Sequence, residues 1–236
     1  MSSSDIRVEP ITNPGDFTQA FRAVANAFGH QTRDAIWMAF NPGWDTPGGE
    51  RVGTQRLVDR FSHITMNQDG QPNTIFVKAT IDNTIAGLAI WEQASVVPGY
   101  GNPPSDLQAS GYFKMLYPGN EKEQRFLAQA DKSLFGRRIE IINEKAEASP
   151  PAVFVMDLCA VDPKFQKRGL ASKMVQYGLD EAKRRNLECV TEGSTMGRSV
   201  YLKLGFKQEG PETVYNMDYE FKDRDLPSNI VLRTGI

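Results

Sequence analysis

The sequence has few residues of the kinds that build metal centres and disulfide frameworks. Its 236 residues include two cysteines, Cys159 and Cys189, and two histidines, His30 and His63. Both cysteines fall inside predicted strands, and neither belongs to the C-x-x-C spacing of a metal or redox motif. We therefore interpret the cysteines as reduced, packed thiols and expect no metal site.

The sequence also lacks a long apolar segment and a strong excess of charge of one sign. No stretch approaches the roughly 20 apolar residues that span a bilayer, and the N-terminal residues lack the pattern of a signal peptide. The net charge of −2 gives no field that would draw the chain onto nucleic acid or an anionic membrane. We expect a cytoplasmic monomer or homodimer with no nucleic-acid or membrane partner.

Apolar periodicity predicts the elements of the N-terminal half. Residues 6–11 alternate as in a strand, and residues 17–28 have helical spacing, with Gly29 as the expected end of that helix. Turn-forming residues predict an exposed loop over 41–50, before a second amphipathic helix. β-branched residues then predict an antiparallel hairpin over residues 74–91.

The C-terminal half continues as a mixed α/β pattern in a single domain over residues 1–236. Residues 93–150 are predicted to form an internal helical insertion between the third and fourth strands. Residues 152–161 are apolar except for Asp157, as expected for a central strand covered on both faces. An amphipathic helix follows, and the remaining predicted elements are a strand, a short helix and two late strands at 188–192, 198–204, 213–219 and 230–233.

A strand, a basic turn and a helix start follow one another at residues 161–174. A helix start presents backbone N–H groups without intrahelical partners and a partial positive charge, which together suit a phosphate group. Lys167 and Arg168 add charge, and Gly169 keeps the backbone approachable. The turn is neither a Walker loop nor a dinucleotide fingerprint, so taken alone it is also compatible with a plain strand–turn–helix connection.

Three segments of the sequence stand in a fixed order and spacing. They are Leu-Cys-Ala-Val-Asp-Pro at residues 158–163, Gln-Lys-Arg-Gly-Leu-Ala at residues 166–171 and Tyr-Leu-Lys-Leu-Gly-Phe at residues 201–206. Together they resemble the GNAT superfamily of acyl-CoA-dependent N-acetyltransferases. The resemblance implies a mixed, mostly antiparallel sheet of about seven strands flanked by helices. It also implies acetyl-CoA as the acyl donor, without a metal.

The resemblance assigns donor-binding roles to named positions. The strand end is expected to pair with the pantetheine arm, and the amides of the turn are expected to hold the pyrophosphate. Ser194 stands where the family often has asparagine, seven positions before the tyrosine. The residues so assigned are Cys159, Ala160, Val161, Lys167, Arg168, Gly169, Leu170, Ala171, Ser172 and Ser194.

Two side chains are candidates for the chemistry of acyl transfer. The resemblance implies that Tyr201 gives a proton to the departing CoA thiolate; packing into the core is the alternative. Asp157 is either a carboxylate that acts as base or amine anchor, or a buried carboxylate bound to backbone N–H groups or to a cation. Glu92 and Glu192 are weaker candidates for the base.

The predicted activity is direct transfer of an acetyl group from acetyl-CoA to the amine of a small molecule in a ternary complex. No covalent enzyme intermediate is expected, because neither cysteine has a histidine partner in sequence. The N-terminal helices and residues 93–150 are expected to shape the acceptor pocket. A protein or peptide N-acetyltransferase and a non-catalytic CoA-binding regulatory module are the alternatives.

Overall fold

A computed structural model describes residues 5–235 of the chain, which form a seven-stranded sheet with helices on both faces. The spatial order is β1-β2-β3-β4-β5-β7-β6, and neighbouring strands run antiparallel except β4 and β5, which are parallel. The predicted mixed, mostly antiparallel sheet is therefore confirmed. The strands are β1 (Ile6–Pro10), β2 (Thr74–Ile81), β3 (Thr84–Ala94), β4 (Val153–Val161), β5 (Glu188–Ser194), β6 (Lys207–Glu212) and β7 (Asn229–Arg233).

Helices cover the two faces of the sheet unequally. One face is packed by α1 and α3, with α1 side chains such as Phe17 and Val24 against β2 and β3. The other face is packed by α6, where Leu170, Met174 and Val175 meet β2, β3 and β4. The helices are α1 (Phe17–Val24), α2 (Ala35–Phe40), α3 (Pro47–Ser62), α4 (Tyr112–Leu116), α5 (Glu121–Glu144), α6 (Leu170–Arg184) and α7 (Arg198–Lys203).

The predicted insertion corresponds to α4 and α5, which lie between β3 and β4 in the chain. The apolar side chains Ile141 and Ile142 pack against β4, β5 and β7, so the C-terminal half of α5 covers this part of the sheet. Near the N-terminus of α5, Phe126 and Leu127 join another apolar cluster with α2 and α4. Among residues 5–235 no helix has both the length and the apolar character that crossing a bilayer requires.

The sequence predicted that the helix beginning at Phe17 would end at Gly29, and this prediction is wrong. After Val24 it continues as a π-helical segment, Ala25–Gln31, so Gly29 lies inside it. A Cβ atom on Gly29 would lie 2.4 Å from the ring of Trp44. The glycine therefore permits close packing of an aromatic side chain, and π-helical segments are frequent at functional sites.

Two other predicted segments differ from the structure. The loop over 41–50 is shorter than predicted, because Thr46 caps the N-terminus of α3 by accepting a hydrogen bond from the Gly49 amide. The prediction of a strand over 213–219 was wrong, because the strand that pairs with β7 is β6, which ends at Glu212. The segment after β6 is anchored to α5, with the Asn216 amide donating to Ser133 and the Asp218 amide to Gln129.

Candidate active site

The parallel strands β4 and β5 separate partway along their length. Their backbone pairing ends at Val155 and Val190. Just beyond it, the Thr191 hydroxyl donates a hydrogen bond of 2.9 Å to the carbonyl oxygen of Met156. The two strands then continue without pairing with each other, while β4 stays paired with β3 and β5 with β7. The β5-facing edge of β4 is therefore open towards its C-terminal end.

Two residues of β4 present their backbone groups to this opening. The Asp162 amide donates to the Ala86 carbonyl in a bond of 2.8 Å, and antiparallel hydrogen bonding alternates every second residue. The backbone groups of Ala160 therefore face β3 in the same way, while the N–H and C=O groups of Cys159 and Val161 point away from β3. The Val161 carbonyl also accepts a hydrogen bond of 2.9 Å from the side chain of Gln166. An extended ligand arm can pair with this edge as an added strand would.

The turn before α6 forms a concave group of backbone amides. Lys167 and Gly169 both have positive φ, of 61° and 83°, and α6 begins at Leu170. Within the described residues, no protein group accepts a hydrogen bond from the amides of residues 167–172, and the first bond runs from the Lys173 amide to the Gly169 carbonyl. Unpaired amides of this kind at a helix N-terminus fit a phosphate or pyrophosphate group.

The strand edge and the amide turn line one cavity of about 660 Å³. Arg168 is outside its lining and lies over the Phe165 ring, 5.7 Å from the centroid. Asp157 is also outside the lining. The predicted site residues that the cavity brings together are Cys159, Ala160, Val161, Lys167, Gly169, Leu170, Ala171, Ser172, Ser194 and Tyr201.

Tyr201 is buried on α7 at the wall of the cavity, and its hydroxyl lies close to the thiol of Cys159 on β4. Its ring packs closely on Gly197, where an added Cβ would lie 2.6 Å from the hydroxyl oxygen. Burial raises the pKa of Tyr201 well above 10 and the pKa of Cys159 to about 12. Both groups are therefore protonated at neutral pH, so the phenol can donate and the thiol is a poor nucleophile.

Asp157 is bound by two arginines. Its Oδ2 accepts a hydrogen bond of 2.8 Å from Arg60 on α3, and its Oδ1 one of 2.9 Å from Arg138 on α5. Burial alone would raise the pKa of Asp157, but the two guanidinium groups outweigh it and lower the pKa below its ordinary value. Glu92 and Glu192, the other predicted base candidates, bind the same two arginines. This geometry matches the alternative of a carboxylate bound to cations.

Asp34 is a cavity carboxylate that the sequence prediction missed. It caps α2, with its Oδ1 accepting hydrogen bonds from the amides of Ile36 and Trp37 at 3.0 and 2.9 Å. Burial raises its pKa, although those two hydrogen bonds act in the opposite direction. An aspartate before an apolar run is a helix-start signal, but its place in the cavity depends on the path of the π-helical segment.

Two further segments line the cavity. Residues 27–34 of the N-terminal helical region form one wall, and residues 225–228 before β7 form the other. Among the described residues, none between 93 and 150 lines this cavity. The insertion instead contributes Arg138, which binds Asp157 and Glu192 beneath the site.

A sheet that opens over an anion-binding helix start, with a tyrosine at the opening, defines an acyltransferase of the GNAT class. A family model described as the acetyltransferase (GNAT) family matches residues 31–206. The chain therefore belongs to the GNAT acetyltransferase family. No curated protein matches it.

Solved structures of low sequence identity share this fold over nearly the whole chain. Arylalkylamine N-acetyltransferase 2 from Aedes aegypti is 16% identical with a TM-score of 0.65, covering 97% of this chain and 98% of its own. Mosquito arylalkylamine N-acetyltransferase like 5b is 14% identical with a TM-score of 0.60, covering 98% and 99%. The polyamine N-acetyltransferase of Drosophila melanogaster, which forms N-acetylagmatine, is 11% identical with a TM-score of 0.56, covering 97% and 99%.

Proposed function

We propose that the protein transfers an acetyl group from acetyl-CoA directly to the amine of a small molecule. The observation that carries the proposal is that the unpaired amides of residues 167–172 and the hydroxyl of Tyr201 belong to one cavity. The amides fit the pyrophosphate of the donor, and the open edge at Cys159 and Val161 fits its pantetheine arm. The thioester then lies beside the phenol.

A small acceptor is favoured by the dimensions and lining of the cavity. Its volume of about 660 Å³ is within the range of small-molecule sites, and the donor arm takes part of it. The cavity lining includes an aromatic ring, Phe28, and two carboxylates, Asp34 and Asp225, which lie outside the strand edge and the amide turn. A cationic amine with an apolar body suits such a lining. The fold neighbours named for arylalkylamines and for a polyamine support the same acceptor class.

The acceptor must lose a proton before it can attack the thioester. An alkylamine with a pKa near 10.4 requires roughly 4–5 kcal/mol for deprotonation at pH 7. Asp34 is placed to bind the ammonium group and to accept that proton, directly or through water, because its second carboxylate oxygen is not used in capping α2. Asp157, held by two guanidinium groups, is a poor base.

In the proposed transfer, each bond that forms is matched by one that breaks, and each proton has a donor and an acceptor. The amine nitrogen forms the new C–N bond, the C–S bond breaks, and the proton released by nitrogen is replaced on sulfur. Tyr201 donates a hydrogen bond to the departing thiolate and passes it a proton, and the proton lost by nitrogen on forming the amide returns to the phenoxide through water. With a pKa of about 12, the neighbouring Cys159 thiol is not expected to compete as a nucleophile.

The proposal is tested by measuring thiol release from acetyl-CoA against a panel of acceptors, with products read by mass spectrometry. The panel contains an arylalkylamine, a polyamine, agmatine and a peptide with a free N-terminus. We expect acetylation of at least one small amine, and loss of most turnover in the Tyr201→Phe variant. The matched control is Tyr177→Phe on α6, whose hydroxyl is outside the cavity lining.

Two results would contradict the proposal. Acetylation of the peptide alone would indicate a protein N-acetyltransferase. Binding of CoA without thiol release to any acceptor would indicate a CoA-binding module that has no transferase activity.

A further inference from the structure

Five charged side chains form an alternating chain of ion pairs across three strands. Arg60 of α3 binds Glu92 of β3 at 2.6 Å and Asp157 of β4 at 2.8 Å. Arg138 of α5 binds the other oxygen of Asp157 at 2.9 Å and also both oxygens of Glu192 on β5. Two helices are thereby connected to the centre of the sheet.

The chain of ion pairs lies where β4 and β5 separate. Leu158 pairs with Ile90 and Met156 with Trp91, so Asp157 is an extra residue, a β-bulge opposite β3. Glu192 lies two residues beyond Val190, the last residue of β5 that pairs with β4. Arg138 therefore links the two strands by side-chain contacts at the level where their backbone hydrogen bonds have stopped.

We propose that Arg138 is a positioning residue for the donor. By binding Asp157 and Glu192 together, it fixes the separation of β4 and β5 and holds the bulge that directs the backbone of Cys159 and Val161 into the opening. The inference rests on the proposed function, because the ligand that uses this edge is the pantetheine arm of CoA.

The geometry around Arg138 is suited to such a role. Its side chain is 12% exposed and that of Glu192 is 4% exposed, so solvent does not compete for these contacts. The guanidinium also lies over the ring of Phe135, 4.4 Å from the centroid. Its planar group meets two carboxylates at once in fixed directions, which the flexible ammonium of a lysine does not reproduce.

The test compares two ligands that differ in the pantetheine arm. CoA is proposed to use both the amide turn and the edge of β4, whereas 3′-phosphoadenosine 5′-diphosphate keeps the pyrophosphate and lacks the arm. For Arg138→Lys we expect CoA to bind about tenfold more weakly, with the affinity for this nucleotide unchanged. The affinities are measured by titration calorimetry.

Two further variants make the result decisive. Arg137→Lys is the matched control, because Arg137 is the preceding residue of α5 and binds Glu140 and Glu144 of α5 and Glu209 of β6, none of which lines the cavity. Asp157→Asn keeps the side-chain shape and tests the same contact if Arg138→Lys does not fold, as monitored by thermal unfolding. In turnover, both site variants should raise the KM for acetyl-CoA more than they lower kcat.

The possible outcomes separate this inference from the proposed function. An equal loss of affinity for both ligands, or unchanged affinity for CoA in both site variants, would overturn the role of Arg138 while the acetyltransferase activity stands. It would be overturned as well if the wild-type protein bound 3′-phosphoadenosine 5′-diphosphate as tightly as CoA, since the pantetheine arm would then add no affinity. Absence of acetyl transfer with the arm effect intact would overturn only the proposed function.

Discussion

The side chain of Tyr201 on α7 lies against Cys159 of β4 at the wall of the cavity. Tyr201 is buried and Cys159 is half-buried, and burial raises the pKa of each above its ordinary value. The phenol is therefore protonated at neutral pH and belongs to the same cavity wall as the open strand edge.

Replacing Tyr201 with phenylalanine removes the donor without changing the ring. We expect kcat to fall by about 10²-fold or more, because the departing thiolate loses its proton donor. The affinity for CoA should stay near that of the wild type, since backbone groups bind most of the ligand. Steady-state kinetics and calorimetry check the two parts, and near-normal turnover would remove the assigned role.

Asp34→Asn separates the chemical role of the carboxylate from its role as a helix cap. Asparagine caps a helix as well as aspartate does, so the fold should be retained. For an alkylamine acceptor we expect kcat/KM to fall by about 10²-fold or more, because the base is lost. For an aromatic amine, which is already neutral at pH 7, the loss should be small. An equal loss for both acceptors would argue against Asp34 as the base.

The same variant has an expected effect on stability with a definite sign. Burial raises the pKa of Asp34 in the folded protein, so protonation stabilises the fold below the ordinary pKa, and this contribution is lost as pH rises through the raised pKa. At neutral pH the wild type therefore carries the cost of a buried charge. Asp34→Asn should be at least as stable as the wild type at pH 7.5 by thermal unfolding, and a clear loss of stability would contradict this.

Local patterns in the sequence predicted the elements that form the proposed donor site. The apolar run before Val161 and the basic turn at Gly169 are each contained in a few consecutive residues, and both are where the sequence placed them. The hairpin was equally local, because Asp82 and Asn83 take up the positive φ values that its tight turn needs.

Contacts between distant residues could not be predicted in this way. Asp157 is bound by Arg60, which lies 97 residues earlier in the chain, and nothing in the local pattern of either residue indicates the other. Gly29 was misinterpreted for a similar reason, because the aromatic ring that requires a glycine there comes from Trp44, in the loop after the next helix. The roles of Asp157 and Gly29 both depend on tertiary packing.

Ionised Asp131 on α5 is expected to lower the free energy of unfolding at neutral pH. Burial raises its pKa from 3.8 to about 6, with the Arg138 charge acting in the opposite direction. The folded state therefore gains stability from protonating Asp131 below the ordinary pKa, and loses it as pH rises through about 6. Asp131→Asn should have nearly wild-type stability at pH 4 and be more stable by about 1–3 kcal/mol at pH 8. Urea unfolding at the two pH values checks this, and a difference independent of pH would contradict it.

Two helical glycines should respond to alanine in opposite directions. A Cβ on Gly178 of α6 would lie 1.9 Å from the ring of Trp91, which is fully buried, whereas a Cβ on Gly136 of α5 meets nothing within 4 Å. Alanine gains roughly 1 kcal/mol over glycine inside a helix, and overpacking a core costs about 1–3 kcal/mol. We therefore expect Gly136→Ala to stabilise the protein and Gly178→Ala to destabilise it. Thermal unfolding of both variants measures the two signs, and a gain in stability for Gly178→Ala would show that α6 can move away from β3 at little cost.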